Sequence, residues 1–365
     1  LIKFNYNMFS FQNTVKKFKT QYLNSLEDVL DSGIGMLGPK VSLLESKLCD
    51  YSKANYCICC QSGTFALTLA LKALDIQPDD EVITTPFTWI SSTSTIVQAG
   101  AIPVLVDIEN DTYNIDIKQI EKHITSKTKA ILIVNIFGKL ISNIDLLLTL
   151  KQKYGLVIIE DAAQSFGAYQ NNYLSCDGKI GDICCTSFYP TKPLSGFGDG
   201  GACFTNNTEL ANKLKLLRNH GMSSYGEIDI LGWNARMNEF QAAIILINLE
   251  HFEEKTKNRL QIAKIYNEKI NIKCIKPIIK EGDMVSQYCL LIDERDKFSD
   301  YLKKNNISYK IFYAKSITDQ NLFKRFKKIE FPICDKIKNS IISIPCYDTL
   351  EKIELEKIIN VINKF

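Results

Sequence analysis

Between Asn55 and Glu160 the chain alternates short apolar runs with stretches of helical spacing, and this rhythm constrains the fold most. The runs Asn55–Cys60, Glu81–Thr85, Ile102–Asp107, Ala130–Asn135 and Leu156–Glu160 lack polar alternation. Such strands are expected where helices cover both faces of a mostly parallel sheet. The intervening stretches Phe65–Leu74, Thr88–Ala99, Ile117–Ile124 and Ile144–Tyr154 place apolar residues at helical spacing. A βα succession of this kind predicts an α/β fold.

A chain of 365 residues exceeds a single small core. Residues 1–24 are expected to form an irregular N-terminal arm with a short amphipathic segment, and residues 25–250 the large α/β domain. A helix opens at Gly38-Pro39. The amphipathic pattern from Asn238 to about Ile270 predicts one long connecting helix, with room for a kink. Short strands near 273–279, 287–293 and 309–313, the strand Ser340–Ile344 and the helix Leu350–Ile362 then predict a smaller α+β domain over residues 251–365. There is no internal repeat.

Charge and cysteine content exclude several classes. The formal net charge is only +3, so neither nucleic acid nor an anionic membrane is an expected partner. The basic run Lys324–Lys328 is expected to be a solvated helix face. No apolar run approaches the roughly 18 residues of a membrane helix, and the first twenty residues lack the apolar stretch of a secretory leader. The 12 cysteines include Cys57, Cys59, Cys60, Cys184 and Cys185 inside apolar runs. With 3 histidines and no second CxxC pair, neither a metal site nor a disulfide framework is expected. Reduced, buried thiols of a cytoplasmic protein are the expectation.

The chemistry concentrates in a few segments. Lys192 stands between Pro190 and Pro193 and is followed by Gly196, Gly198, Gly200 and Gly201. Pro193 biases Lys192 away from helix, and the glycines permit close backbone approaches. This pattern suits one amine held at a fixed point in a cleft, able to form a Schiff base. Ser62-Gly63-Thr64 lies between a strand and a helix start, either an anion cradle or an ordinary helix cap. Asp161 ends a buried strand at the sheet's carboxyl edge, where it either needs a cationic partner or caps a helix after it. Glu160 competes for that role and is read as structural. Gln164 lies three residues on. Trp89 offers a ring for either stacking or core packing. Ser187 offers a second hydroxyl beside an anion, and Asn234 and Arg236 lie in a loop that Asn238 is expected to cap. A lysine nucleophile, a carboxylate for a pyridinium, an anion cradle and a stacking ring are together what pyridoxal phosphate uses.

These motifs in order resemble the DegT/StrS-type sugar-nucleotide aminotransferases, a branch of the fold-type-I enzymes that use pyridoxal phosphate. The resemblance runs from about Leu37 through Ser62-Gly-Thr64, Glu160-Asp-Ala-Ala-Gln164, Ser187-Phe-Tyr-Pro-Thr-Lys192, Arg218-Asn-His-Gly221 and Asn234-Ala-Arg-Met237. It implies a large domain with a mixed, mostly parallel seven-stranded sheet and a smaller C-terminal domain. It implies that Lys192 is the catalytic Schiff-base lysine, that Asp161 faces the ring nitrogen and Gln164 the ring oxygen, and that Trp89 stacks. Gly63, Thr64 and Ser187 would hold the phosphate, which Asn234 would reach from the partner of a homodimer with shared active sites. Tyr189, Arg236 and Tyr313 fall on the substrate side.

Related dehydratases carry histidine at the lysine position, so Lys192 favours transamination. The segment after Tyr313 reads Ala-Lys-Ser-Ile, where the family often has Pro-Leu-His. The implied substrates are L-glutamate and a keto-sugar nucleotide, with a UDP- or dTDP-linked 4-keto-6-deoxyhexose preferred and 3-keto sugars second. Transamination of a cyclitol ketone, or a regulatory protein on the same fold without turnover, are the alternatives.

Overall fold

The computed structural model describes residues 7–224, 226–323 and 330–365, and the basic run Lys324–Lys328 lies outside them. Seven strands form one sheet: β1 (Tyr56–Cys60), β2 (Glu81–Thr84), β3 (Ile102–Leu105), β4 (Thr128–Val134), β5 (Val157–Asp161), β6 (Ile183–Ser187) and β7 (Gly201–Thr205). Their order is β1-β7-β6-β5-β4-β2-β3. All neighbours pair in parallel except β7, which runs antiparallel to both β1 and β6.

Strand alternation explains why the apolar runs are continuous. In β4, Ala130, Leu132 and Val134 join the core on one face of the sheet, while Ile131 and Ile133 join the core on the other. The same alternation separates Glu160 from Asp161. The helices α2 (Pro39–Ser52), α3 (Gly63–Ala73), α4 (Ser91–Gln98), α5 (Ile144–Tyr154) and α6 (Thr208–Arg218) accompany these strands. The start of α2 is fixed from a distance. Buried Glu239 accepts the N–H groups of Gly38 at 2.8 Å, Lys40 at 2.7 Å and Val41 at 3.0 Å, donors a helix start leaves without intrahelical acceptors.

Three expectations change. Residues 11–24 are not irregular: α1 runs Phe11–Ser32, capped by Ser10 and closed by Gly33 at φ 64°. Phe18, Tyr22 and Leu26 recur every fourth residue and pack on Ile244 and Ile247, a stripe hidden by the polar residues between them. The long connector is two helices, α7 (Glu239–Glu250) and α8 (Phe252–Lys269), broken at His251. Third, residues 273–279 and 309–313 are not strands. Ile275 and Lys310 each make only an isolated bridge, to Leu291 and Ser343.

A further core is built from α8, the antiparallel pair β8 (Tyr288–Leu291) and β9 (Ile341–Ile344), α9 (Arg295–Lys304) and α11 (Lys352–Ile362). Tyr266, Tyr288, Leu290, Phe298, Ile342 and Ile359 are buried in it. The other face of the β8–β9 ribbon, through Cys289, Leu291 and Ile341, joins the core of the main sheet, assisted by α10 (Pro332–Ser340). All 12 cysteines are free thiols, and all but Cys49 and Cys274 are buried. Among the described residues no helix is long and apolar enough to cross a membrane, and no side chains cluster as metal ligands.

Candidate active site

The strands β5 and β6 end side by side, and their last residues carry the chemistry. Asp161 is buried on the sheet face shared with Ile159. Its Oδ2 accepts from Ser92 Oγ at 2.7 Å and its Oδ1 from the Ala163 N–H at 3.1 Å. Burial raises its pKa, and Ser92, Ala163 and the Lys192 ammonium oppose the rise. Glu160 points to the opposite face, where Asn135 Nδ2 and Ser175 Oγ both donate to its Oε1 at 2.8 Å. Glu160 is thereby removed from the cleft and is structural. No helix comes after Asp161, only turns, so the helix-cap reading of that residue falls away.

Lys192 lies in the loop after β6. Its N–H donates to Tyr189 O at 2.8 Å, closing a turn between the two prolines. Burial lowers its pKa and the Asp161 carboxylate opposes that fall. The loop is braced from behind. Gln241 Oε1 accepts the Phe197 N–H at 3.0 Å, and a Cβ at Gly196 or Gly198 would fall 2.5 Å from the Gln241 amide. A side chain at either glycine would displace that amide.

Ser62 caps α3 through the Phe65 N–H at 3.2 Å, in line with the plainer of its two expected roles. The first-turn N–H groups of Gly63 and Thr64 are then left without intrahelical acceptors. A Cβ at Gly63 would lie 2.6 Å from Ser187 Cβ, so glycine is what lets the end of β6 press against the start of α3. Ser187 Oγ and Thr64 Oγ1 flank that helix start, with Thr64 Oγ1 bonded to Ser91 Oγ at 2.8 Å. A helix N-terminus with hydroxyls on both sides suits a phosphate. Beside it opens a cleft of about 490 Å³ lined by Ser62, Thr64, Phe65, Asp199, Arg236 and Gln241.

Gln164 Nε2 donates to Tyr313 Oη at 3.3 Å, and its Oε1 accepts from the Phe137 N–H at 3.0 Å and Ser286 Oγ at 3.3 Å. Burial raises the Tyr313 pKa, so its hydroxyl stays protonated. Trp89 is 57% exposed and tilts against Tyr313 with ring centroids 6.4 Å apart. That exposure decides against core packing. Tyr189 is half exposed on the lysine loop. Asn234 is exposed, and its Oδ1 accepts from Arg236 Nε at 3.0 Å; within one chain it bonds to its neighbour rather than to the Ser62–Thr64 segment. Asn238 caps α7 through the Gln241 N–H at 2.8 Å, as expected.

The arrangement fits pyridoxal phosphate on the chemistry of its donors: a partly buried lysine amine, a buried carboxyl with spare lone pairs, and a glycine-opened helix start. Sequence reasoning missed Ser92, Phe137 and Ser286. Ser92 had a weak signal, lying one helical turn after Thr88 near the end of β2; the other two had none.

The comparisons show the family. The model of the DegT/DnrJ/EryC1/StrS aminotransferase family matches residues 16–363. The UDP-2-acetamido-2-deoxy-3-oxo-D-glucuronate aminotransferase of Pseudomonas aeruginosa is 36% identical, over 93% of this chain and 94% of that protein. The dTDP-3-amino-3,6-dideoxy-alpha-D-galactopyranose transaminase of Aneurinibacillus thermoaerophilus is also 36% identical, over 96% of each. The crystal structure of a DegT DnrJ EryC1 StrS aminotransferase from Brucella abortus superposes with a TM-score of 0.92 at 31% identity, covering 97% of each chain.

Proposed function

We propose, starting from the fact that this chain belongs to the DegT/DnrJ/EryC1/StrS aminotransferase family, that it transfers the amino group of L-glutamate to a nucleotide-linked 3-keto sugar. It is a pyridoxal-phosphate-dependent enzyme of the sugar-nucleotide aminotransferases. The sequence alone favoured a 4-keto-6-deoxyhexose. The 3-position in the names of the two relatives described above supports C3 instead. A UDP or dTDP carrier, a homodimer and a cytoplasmic location belong to the same reading.

Bound pyridoxal phosphate supplies an aldehyde carbon that takes up the amine and a ring that stores the electron pair released when a proton leaves. The residues of this chain do the rest. Lys192 presents an amine whose pKa is lowered by burial, so its Nζ gives up a proton more readily than a solvated lysine and can then act as a base. Asp161 receives hydrogen bonds from Ser92 and the Ala163 N–H, which favour its charged form, and would face the ring N–H. Gly63, Thr64 and Ser187 would hold the phosphate, and Gln164 would meet the ring oxygen. Trp89 stacks, while Tyr189, Arg236 and Tyr313 line the substrate side. The exposure of Asn234 on its own chain supports its reaching the phosphate of a second copy. Two half-reactions on one site give ping-pong kinetics.

The observation that carries this reading is the buried Asp161 carboxyl at the end of β5, beside the end of β6 where Ser187 presses on Gly63 and from which the Lys192 loop leaves. The test converts the loaded protein with glutamate, then offers a panel of nucleotide-linked 3-keto and 4-keto sugars read by mass. Amination of the 3-keto sugars supports the proposal, and exclusive amination of 4-keto sugars rejects its choice of carbon. Failure to form 2-oxoglutarate from glutamate rejects the activity.

A further inference from the structure

We infer that Ser286 is a positioning residue which, together with the Phe137 N–H, fixes the Gln164 amide so that its N–H side is left for the cofactor. This rests on the pyridoxal phosphate reading above. A glutamine amide can turn over with almost no change of shape, and only its hydrogen-bond partners decide which end points where. Here the decision is made by groups that cannot be misread. The backbone N–H of Phe137 donates to Gln164 Oε1 at 3.0 Å, and a backbone N–H has nothing with which to accept. Ser286 Oγ donates to the same oxygen at 3.3 Å. Both lone pairs of Oε1 are therefore occupied.

The two donors are also tied to one another. The Ser286 N–H donates to Phe137 O at 3.1 Å, and the Met284 N–H to Gly138 O at 2.9 Å. Phe137 adopts φ 56°, in the left-handed region that a side chain disfavours. Gly138 comes next at φ 92°, where a Cβ would come 2.9 Å from the Val285 nitrogen. The chain thus takes an unfavourable turn that aims the Phe137 N–H at Gln164. Ser286 is buried and spends its hydroxyl on the same atom.

The remaining capacity of the amide is on Nε2. One N–H goes to Tyr313 Oη at 3.3 Å, and the second has no acceptor among the described residues. The ring oxygen of the cofactor carries negative charge when ionised, so it needs a donor; an inverted amide would offer it a carbonyl instead. Ser286 acts through Gln164 and sets the sign of that contact.

The experiment measures the visible absorption of the cofactor-loaded protein against pH, without turnover, for wild type, Ser286→Ala, Ser286→Thr and Gln164→Ala. Losing or loosening a donor to the ionised oxygen makes ionisation harder. Ser286→Ala is expected to move the midpoint upward by about 0.5–1 pH unit, less than Gln164→Ala. Ser286→Thr, which keeps the hydroxyl, is expected to restore the wild-type midpoint. Should Ser286→Ala not hold the cofactor, Ser286→Cys carries the test with the same sign, since a thiol is a weak donor. A midpoint unchanged in the Ser286 variants while Gln164→Ala shifts overturns the inference and leaves the function intact. A wild-type protein with no cofactor band would instead reject the function.

Discussion

Ser92 Oγ, in the first turn of α4, donates a 2.7 Å hydrogen bond to Asp161 Oδ2, while the Ala163 N–H holds Oδ1 at 3.1 Å. Hydrogen bonds to a carboxylate favour its charged form, and here they work against burial. Removing one raises the Asp161 pKa further, so the carboxyl protonates at higher pH. Ser92→Ala should slow the glutamate half-reaction about 10-fold, as expected for loss of one charge-assisted bond. It should also move the acid limb of the rate profile to higher pH. Asp161→Asn should slow the same step by roughly 100-fold or more. Stopped-flow absorbance measures both, and an unchanged acid limb in Ser92→Ala counts against the role given to this bond.

Gly63 is the contact point between the start of α3 and the end of β6, where a Cβ would lie 2.6 Å from Ser187 Cβ. Gly63→Ala should push the two elements of the phosphate cradle apart. We expect cofactor affinity to fall about 10- to 100-fold through loss of one or two charge-assisted bonds, with the far-ultraviolet circular dichroism of the protein retained. Equal affinity in the variant would show that this approach does not shape the cradle.

Glu239 ties the start of α2 to α7 by accepting three N–H groups. Glu239→Ala leaves those donors without acceptors and should lower stability by about 3 kcal/mol, whereas Glu239→Gln should cost about half as much. Denaturant melts of the two variants against wild type decide it; a loss under about 1 kcal/mol in Glu239→Ala would contradict the capping role.

Burial pushes the Glu160 carboxyl up from 4.5 to about 7. A carboxyl whose folded pKa is raised holds its proton longer folded than unfolded. Its contribution to stability is therefore present below the unfolded value and falls away as pH rises from 4.5 to about 7. The amount is on the order of 3 kcal/mol. Glu160→Gln should flatten the stability profile across that window, and a profile as steep as wild type would place the titration elsewhere.

Legibility in the sequence tracked the distance over which each feature is determined. The sheet was legible because β4 and its neighbours are buried on both faces, which forces continuous apolar runs. Lys192, Asp161 and the Ser62–Thr64 turn stood out because of odd local residues: prolines around an amine, a carboxylate ending an apolar strand, a glycine at a helix start. The helix α1 was missed because its stripe of Phe18, Tyr22 and Leu26 has meaning only against Ile244 and Ile247, more than two hundred residues on. The break at His251 and the missing strands near 275 and 310 are tertiary decisions of the same kind, made where the second core meets the sheet. Ser286 and Phe137 were illegible for a sharper reason. A serine and a backbone N–H carry no signature until a fold puts Gln164 between them.

One amine, that of Lys192, is held to join the cofactor, and everything proposed for the site depends on it. Borohydride reduction of the loaded protein, then proteolysis and mass spectrometry, tests it most directly. The expected result is a single reduced adduct on the peptide containing Lys192, abolished by glutamate before reduction and absent from Lys192→Ala. An adduct on another lysine, or a bound cofactor that borohydride cannot fix to the chain, would contradict it.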